Sequence, residues 1–242
     1  MFTTQERRKP NWGYLRTQKV AVSFSGGMDS TAVLLLAVRN GLKPVAVSIY
    51  GDTDHPESGR YCREICSRLS VPLIELGVAE SYKYFVRVIH SNQNYLSAFR
   101  KFYRRQYHIP FRRLMGQNNF SIRLVGYRAD EYQWCMGQRT FAPIFDWSKS
   151  RVRVFLKENG IPLHPCYSQK EFLKEPIRES SWIDIQNYGL FHFADKGKII
   201  DDAVITLKWL KKYYPNLYHL VSQTFDLKQM GYEIGEVTSA AN

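Results

Sequence analysis

Ser25, Gly26, Gly27, Asp29 and Ser30 set two adjacent glycines among hydroxyls and a carboxylate within six residues. That mixture suits phosphate chemistry. Glycines let the backbone approach a ligand closely and adopt angles closed to other residues. Ser25, Ser30 and Thr31 supply hydroxyl donors, and the Asp29 carboxylate is a hard oxygen ligand of the kind that helps hold magnesium. The spacer and the Gly-Lys-Ser/Thr ending of a Walker loop are missing, so this is a different cradle. A second chemical signal is spread over Arg100, Lys101, Arg104, Arg105, Arg112 and Arg113, with Phe102, Tyr103, Tyr107 and Phe111 among them and no acidic residue. Charges that meet phosphates and rings that stack on bases would suit nucleic acid, tRNA or DNA. An amphipathic helix with its aromatics turned inward has the same spacing, and both readings stand.

The elements that must position the glycine turn are legible around it. Val20 to Phe24 reads as a strand, and the Ala- and Leu-rich run after Ser30 reads as a helix. The first turn of that helix presents unpaired N–H groups and the positive dipole end to the glycine loop, a natural anion site. Gly41 to Pro44 closes the helix, and Val45 to Tyr50 gives a second apolar strand, so the unit is βαβ with a buried parallel sheet. The loop Gly51 to Glu57, with Asp52, then lies on the edge where open α/β sheets bind ligands. Ser58 to Leu69 follows as a helix, Pro72 to Leu76 and Ile122 to Val125 as strands, and Lys149 to Glu158 as a helix capped by Ser148. Helical spacing recurs from Tyr82 to Tyr103, and again from Asp201 to Tyr214. The spacing predicts a doubly wound, mostly parallel α/β sheet with a helical C-terminal extension. The chain divides into a loosely held basic arm at 1–17, a nucleotide-binding domain at 18–170 and the extension at 171–242.

A formal net charge of +12 points to an anionic partner, nucleotide or polynucleotide. The longest apolar run, Ala32 to Val38, is far too short to cross a bilayer, and the N-terminus has no apolar signal core, so a cytoplasmic protein with no membrane partner is expected. Four scattered cysteines, Cys62, Cys66, Cys135 and Cys166, make no disulfide framework. Cys62 and Cys66 sit four apart on a helix, but nothing nearby completes a metal site, and structural roles are expected. Periodicity leaves open whether the helix at Asp201 to Tyr214 covers its own sheet or a second subunit of a homo-oligomer.

Several ordered motifs together resemble those of the PP-loop ATP pyrophosphatases, the adenine nucleotide alpha-hydrolase superfamily, and within it the phosphoadenosine phosphosulfate (PAPS) reductase-like family. Ser25 to Ser30 is similar to the Ser-Gly-Gly-x-Asp-Ser signature, and Gly51 to Ser58 to the Asp-Thr-Gly-x-x-x-Pro-Glu-Thr loop. Gly126 to Glu131 is similar to the Gly-x-Arg-x-x-Glu motif. Pro143 to Tyr167 resembles the segment that runs from Pro-Ile through Asp-Trp and a helix to Gly-Ile-Pro-x-x-Pro-x-Tyr. The resemblance implies an adenine nucleotide site in which Ser23, Ser25, Gly26, Gly27, Asp29 and Ser30 surround the phosphates. Backbone groups at Ser48 and Ile49 would meet the adenine edge, Asp52 would border the site and Gly126 would lie near the ribose. Arg128 would reach a phosphate or sulfate, and Glu131 would orient it or bind metal, which makes Asp29, Arg128 and Glu131 the expected catalytic group. ATP and Mg²⁺ are the implied cofactors.

The departures are equally informative. The reductases carry a nucleophilic cysteine in a C-terminal Glu-Cys-Gly-Leu-His segment, whereas this chain has no cysteine after Cys166 and ends Gly231 to Asn242 without one. Ser180 and Ser181 stand where iron–sulfur relatives have cysteine, so neither an iron–sulfur cluster nor zinc is expected. The implied activity is therefore cleavage of the α–β bond of ATP with adenylation of an acceptor, a small molecule or a nucleic acid, and release of pyrophosphate. The alternatives are a PAPS or adenylylsulfate reductase or sulfur-transfer protein that uses an external thiol, and a nucleic-acid-associated nucleotide-binding module.

Overall fold

The structure is a computed structural model that describes residues 6, 9–51, 54, 57–78, 101–129, 139–168, 207–208, 211–213 and 215–224. Its centre is a five-stranded sheet, all of whose pairs are parallel: β1 (Val20–Ser23), β2 (Val45–Gly51), β3 (Leu73–Val78), β4 (Ile122–Leu124) and β5 (Thr140–Phe141). The order across the sheet is β3-β2-β1-β4-β5. Strand order reverses between β1 and β4. At such a switch point the connections leave in opposite directions and open a crevice beyond the carboxyl ends of the strands.

Helices cover both faces, so the sheet is doubly wound. On one face α2 (Met28–Arg39), α3 (Ser58–Arg68) and α5 (Lys149–Glu158) bury Val33, Leu34, Ile65, Val152 and Leu156 against Val20, Val22, Ala46, Ile122 and Leu124. On the other, Phe111 and Leu114 of α4 (Ile109–Gln117) pack with Phe120 over Ala21 and Val47. Odd and even positions of β1 and β2 thus serve different faces, as the two-residue strand period requires. Ser148 caps α5 as expected, its hydroxyl accepting from the Arg151 N–H at 3.2 Å.

Three features differ from the expected layout. Residues 12–16, placed by composition in a loose arm, form the short helix α1 (Trp12–Arg16), capped by Asn11 and fastened by a fully buried Leu15. Five residues are too few to show a period, so nothing in the pattern announced it. β5 has only two residues and escaped notice for the same reason. Before α4 the chain widens into a π-helical turn, Arg104–His108, of the sort found where a helix must re-aim side chains. In the C-terminal part, α6 (Pro215–Thr224) and helical residues 207–208 and 211–213 are seen, with Leu207 buried. The pattern from Tyr82 to Phe99, and Val204, Leu210 and Tyr214, lie outside the described residues.

Candidate functional site

The crevice beyond β1 and β4 holds a cavity of about 500 Å³, within the range that takes a nucleotide-sized ligand. The glycine turn forms its floor. Gly26 has φ +83°, and a Cβ there would lie 3.2 Å from the Tyr61 ring and 3.3 Å from the Cys62 sulfur. Both conformation and space therefore require glycine. The Ser30 hydroxyl ties the loop together: it donates to the Gly27 carbonyl at 3.0 Å, accepts from the Ser25 N–H at 3.3 Å and lies 3.2 Å from the Ser25 hydroxyl. Thr31 donates its hydroxyl back to the Gly27 carbonyl at 2.8 Å and is fully buried, which makes it a support of the turn rather than part of its open face. Ser25, Gly27, Asp29 and Ser30 all reach the cavity wall.

The loop after β4 crosses directly over this turn. A Cβ at Gly126 would come within 2.8 Å of the Asp29 carbonyl carbon and of the Ser30 nitrogen, both backbone atoms that cannot move aside. This crossing brings Arg128 to Asp29, and the guanidinium donates to the Asp29 carboxylate. Arg128 is 2% exposed and does not line the cavity. Besides the ligand anion and Glu131 expected for it from the motif, Arg128 thus has a partner in Asp29; Glu131 and Asp52 lie outside the described residues. Spacing along the chain had no means of pairing residues 99 positions apart.

On the opposite wall β2 outruns β1. Its last pairing with β1 is Val47 opposite Ser23, closed by the Phe24 N–H to the Val47 carbonyl at 2.9 Å. Strand alternation aims the Ile49 N–H and carbonyl the same way as those of Val47, into the crevice where β1 has ended. Ser48 is buried, and its hydroxyl faces the Cys62 sulfur at 3.7 Å. Burial pushes the Cys62 thiol up to about 12, and the Cys66 thiol likewise, so both are neutral packing groups at ordinary pH. Among the described residues no cluster of three His, Cys, Asp or Glu side chains that could hold a metal occurs. Cys135 lies outside those residues.

The basic and aromatic segment divides when folded. Phe102 and Phe111 are buried, and Tyr103, Tyr107 and Phe111 line the cavity, while Lys101, Arg104, Arg105, Arg112 and Arg113 are exposed. The rings thus lie in the core and along the crevice, and the described cations on the outer side. Arg100 lies outside the described residues. Tyr107 donates to both carboxylate oxygens of Asp54, at 2.9 and 3.0 Å, and the Gly51 N–H donates to the same carboxylate at 2.8 Å. Asp54, not singled out from the sequence, is therefore a buried carboxylate on the cavity wall. Arg123 was also missed. Its Nε donates to the Ser23 hydroxyl at 2.8 Å, and its guanidinium lies over the Phe111 ring at 4.1 Å. Burial lowers its pKa, with Tyr127 acting in the opposite sense. The available signal was a lone arginine inside the apolar run from Ile122 to Val125.

The chain belongs to the phosphoadenosine phosphosulfate reductase domain family, whose model matches residues 19–219. It is accordingly a PP-loop protein of the adenine nucleotide alpha-hydrolase superfamily. A search of curated protein sequences found no match. Among solved structures, the NMN synthetase from Francisella tularensis is similar with 16% identity and a TM-score of 0.54, over 89% of this chain and 96% of that one. The PAPS reductase from Candida auris, in a phosphate complex, shares 13% identity with a TM-score of 0.48, over 63% and 78%. A predicted subunit of tRNA methyltransferase from Methanocaldococcus jannaschii DSM shares 17% with a TM-score of 0.42, over 58% and 76%. Likeness at these identities concerns the fold. No helix among the described residues is long and apolar enough to cross a membrane.

Proposed function

We propose that this protein binds ATP with magnesium and transfers the adenylyl group to an acceptor, releasing pyrophosphate. The observation that carries this reading is the paired placement of an anion cradle, Ser25 to Ser30, and the free backbone edge at Ile49 on facing walls of one cavity. The cradle suits the phosphates, and the Ile49 N–H and carbonyl suit the edge of adenine. In the reaction a nucleophilic atom of the acceptor attacks the α-phosphorus, the bond from that phosphorus to the bridging oxygen breaks, and pyrophosphate leaves with the electron pair. The first turn of α2 faces the charge that develops on the phosphates and needs no rearrangement to stabilise it.

A magnesium ion bound here would supply charge neutralisation for the leaving pyrophosphate. Asp29 and Asp54 are carboxylates on the cavity wall, and one or two carboxylates completed by phosphate oxygens and water make a donor set this ion accepts. Arg128, buried behind Asp29, acts as a positioning residue that holds the carboxylate toward the cavity. Glu131 is assigned beside it on the motif alone. Incubation with ATP, Mg²⁺ and candidate acceptors, with AMP and pyrophosphate followed, tests the reading. Release that persists unchanged in Asp29→Asn and Arg128→Lys would overturn it.

A second reading, a sulfonucleotide reductase or transfer protein, is favoured by the family match. Cys62 and Cys66 are buried and neutral, so neither supplies the thiolate, and this reading takes an external thiol. Thiol-dependent sulfite release from PAPS, without pyrophosphate release from ATP, would select it.

A further inference from the structure

Behind Phe111 and Arg123 lies a second cavity of about 520 Å³, whose walls hold Arg104 and Arg112 from the π-helical turn and α4, Arg123 from β4, and Arg139 just before β5. His108, Phe111 and Arg123 belong to the walls of both cavities, so the two spaces adjoin. No acidic side chain lines the second one. The sheet assembles this set: the Arg123 N–H donates to the Arg139 carbonyl at 2.9 Å, and β4 and β5 pair Arg123 with Thr140.

Arg123 is the unusual member. It occupies the middle of a strand with neighbours on both sides, between Ile122 and Leu124, which point into the opposite core. A helix-covered sheet ordinarily places an apolar residue there. The Ser23 hydroxyl satisfies one of its five N–H groups and the Phe111 ring covers one face. Among the described residues, none of Arg104, Arg112, Arg123 and Arg139 meets a carboxylate. Withdrawing a guanidinium even partly from water without a counter-charge is unfavourable, and its planar fork matches an oxyanion. The half-buried Arg123 and the three exposed arginines around the same cavity, with no acidic side chain in its walls, suit a doubly charged tetrahedral group better than a single carboxylate.

We propose that Arg123, with Arg104, Arg112 and Arg139, forms a binding site for a phosphoryl or sulfuryl group carried by the acceptor, which would lie beside the nucleotide. That the bearer of the group is the acceptor rests on the adenylyl-transfer reading; the anion site itself does not. Inorganic sulfate is the probe. The full chain is titrated calorimetrically with sulfate against chloride at constant ionic strength, with and without saturating Mg²⁺ and an α,β-methylene analogue of ATP. Expected is sulfate binding that survives the analogue and weakens at least tenfold in Arg123→Gln and in Arg139→Gln, while Arg139→Gln binds the analogue as the unaltered protein does. Arg139 is exposed, so its replacement leaves the core intact. Full displacement of sulfate by the analogue would assign the arginines to the nucleotide's own phosphates and overturn the proposal. So would sulfate binding that is absent from the unaltered protein, or unchanged by both substitutions. If the analogue fails to bind but sulfate binding keeps its dependence on Arg123 and Arg139, adenylyl transfer falls and the anion site stands.

Discussion

The glycine turn at Ser25 to Ser30 and the arginine wall at Arg123 face adjoining cavities, and each offers positive charge to an anion by different physics. The turn uses partial charges on backbone N–H groups at the start of α2. Its requirements are conformational: a left-handed Gly26, a Gly126 without a Cβ, and a Ser30 hydroxyl that closes the loop. The arginine wall uses whole charges, one of them set inside the sheet against Phe111. At the turn, the contacts that would bind a ligand are also those that hold the fold together. At Arg123 they are opposed, because the group most useful to an anion is the one the sheet would gain by losing.

Substitutions test this contrast. The largest effect is expected at Gly126→Ala, where the new methyl would press on the backbone of Asp29 and Ser30 at 2.8 Å. A loss on the order of 3 kcal/mol, with loss of nucleotide binding, should follow; an unchanged urea midpoint would show that the crossing is not tight. Acid should act on the same region. His164 is buried beside Ser58 and the Tyr61 ring, and burial lowers its pKa to about 4. The unfolded chain takes up this proton near the ordinary value of 6.5, which the folded protein resists. Stability should therefore be intact above pH 6.5, fall as pH drops toward 4 by up to about 3 kcal/mol, and level off below. His164→Phe should flatten that part of the profile in urea titrations at stepped pH.

Asp29→Ala removes the carboxylate that meets the buried Arg128 guanidinium. Because the carboxylate is part-exposed, about 2 kcal/mol should be lost, as for a hydrogen bond to a charged group, with pyrophosphate release abolished, and Asp29→Asn should recover part of the stability but not the release. Arg123→Met reverses the sign. An apolar side chain of similar length in β4 should raise stability by about 1 kcal/mol while sulfate binding disappears. A destabilised Arg123→Met would mean that the guanidinium serves the fold as the glycine turn does, and the contrast between the two regions would fail.

Much of the framework was legible because it is local. Alternating and continuous apolar runs marked β1, β2 and β4, Ser148 marked the start of α5, and Gly26-Gly27 between a strand and a helix marked the cradle. Each is a short-range preference of backbone or side chain. α1 and β5 were invisible, since five and two residues hold no readable period and are kept in place by what they pack against. The segment from Lys101 to Arg113 shows a subtler limit. Helical spacing indicated two faces, but which neighbour each face meets depends on the sheet beneath. The π-helical turn then set Tyr103, Tyr107 and Phe111 toward the cavity and left the cations outside.

By itself the sequence determined the class of fold, the family and the position of the glycine turn between β1 and α2, because these depend on residues within a few positions of one another and on motifs in a set order. Only the tertiary structure decided that Arg128 rests on Asp29, that Tyr107 holds Asp54, and that Arg123 lies under Phe111 beside Arg139. Those partners are far apart along the chain or come from different elements. Contact between them exists only when parallel pairing has brought β1, β4 and β5 side by side and the covering helices have closed over them.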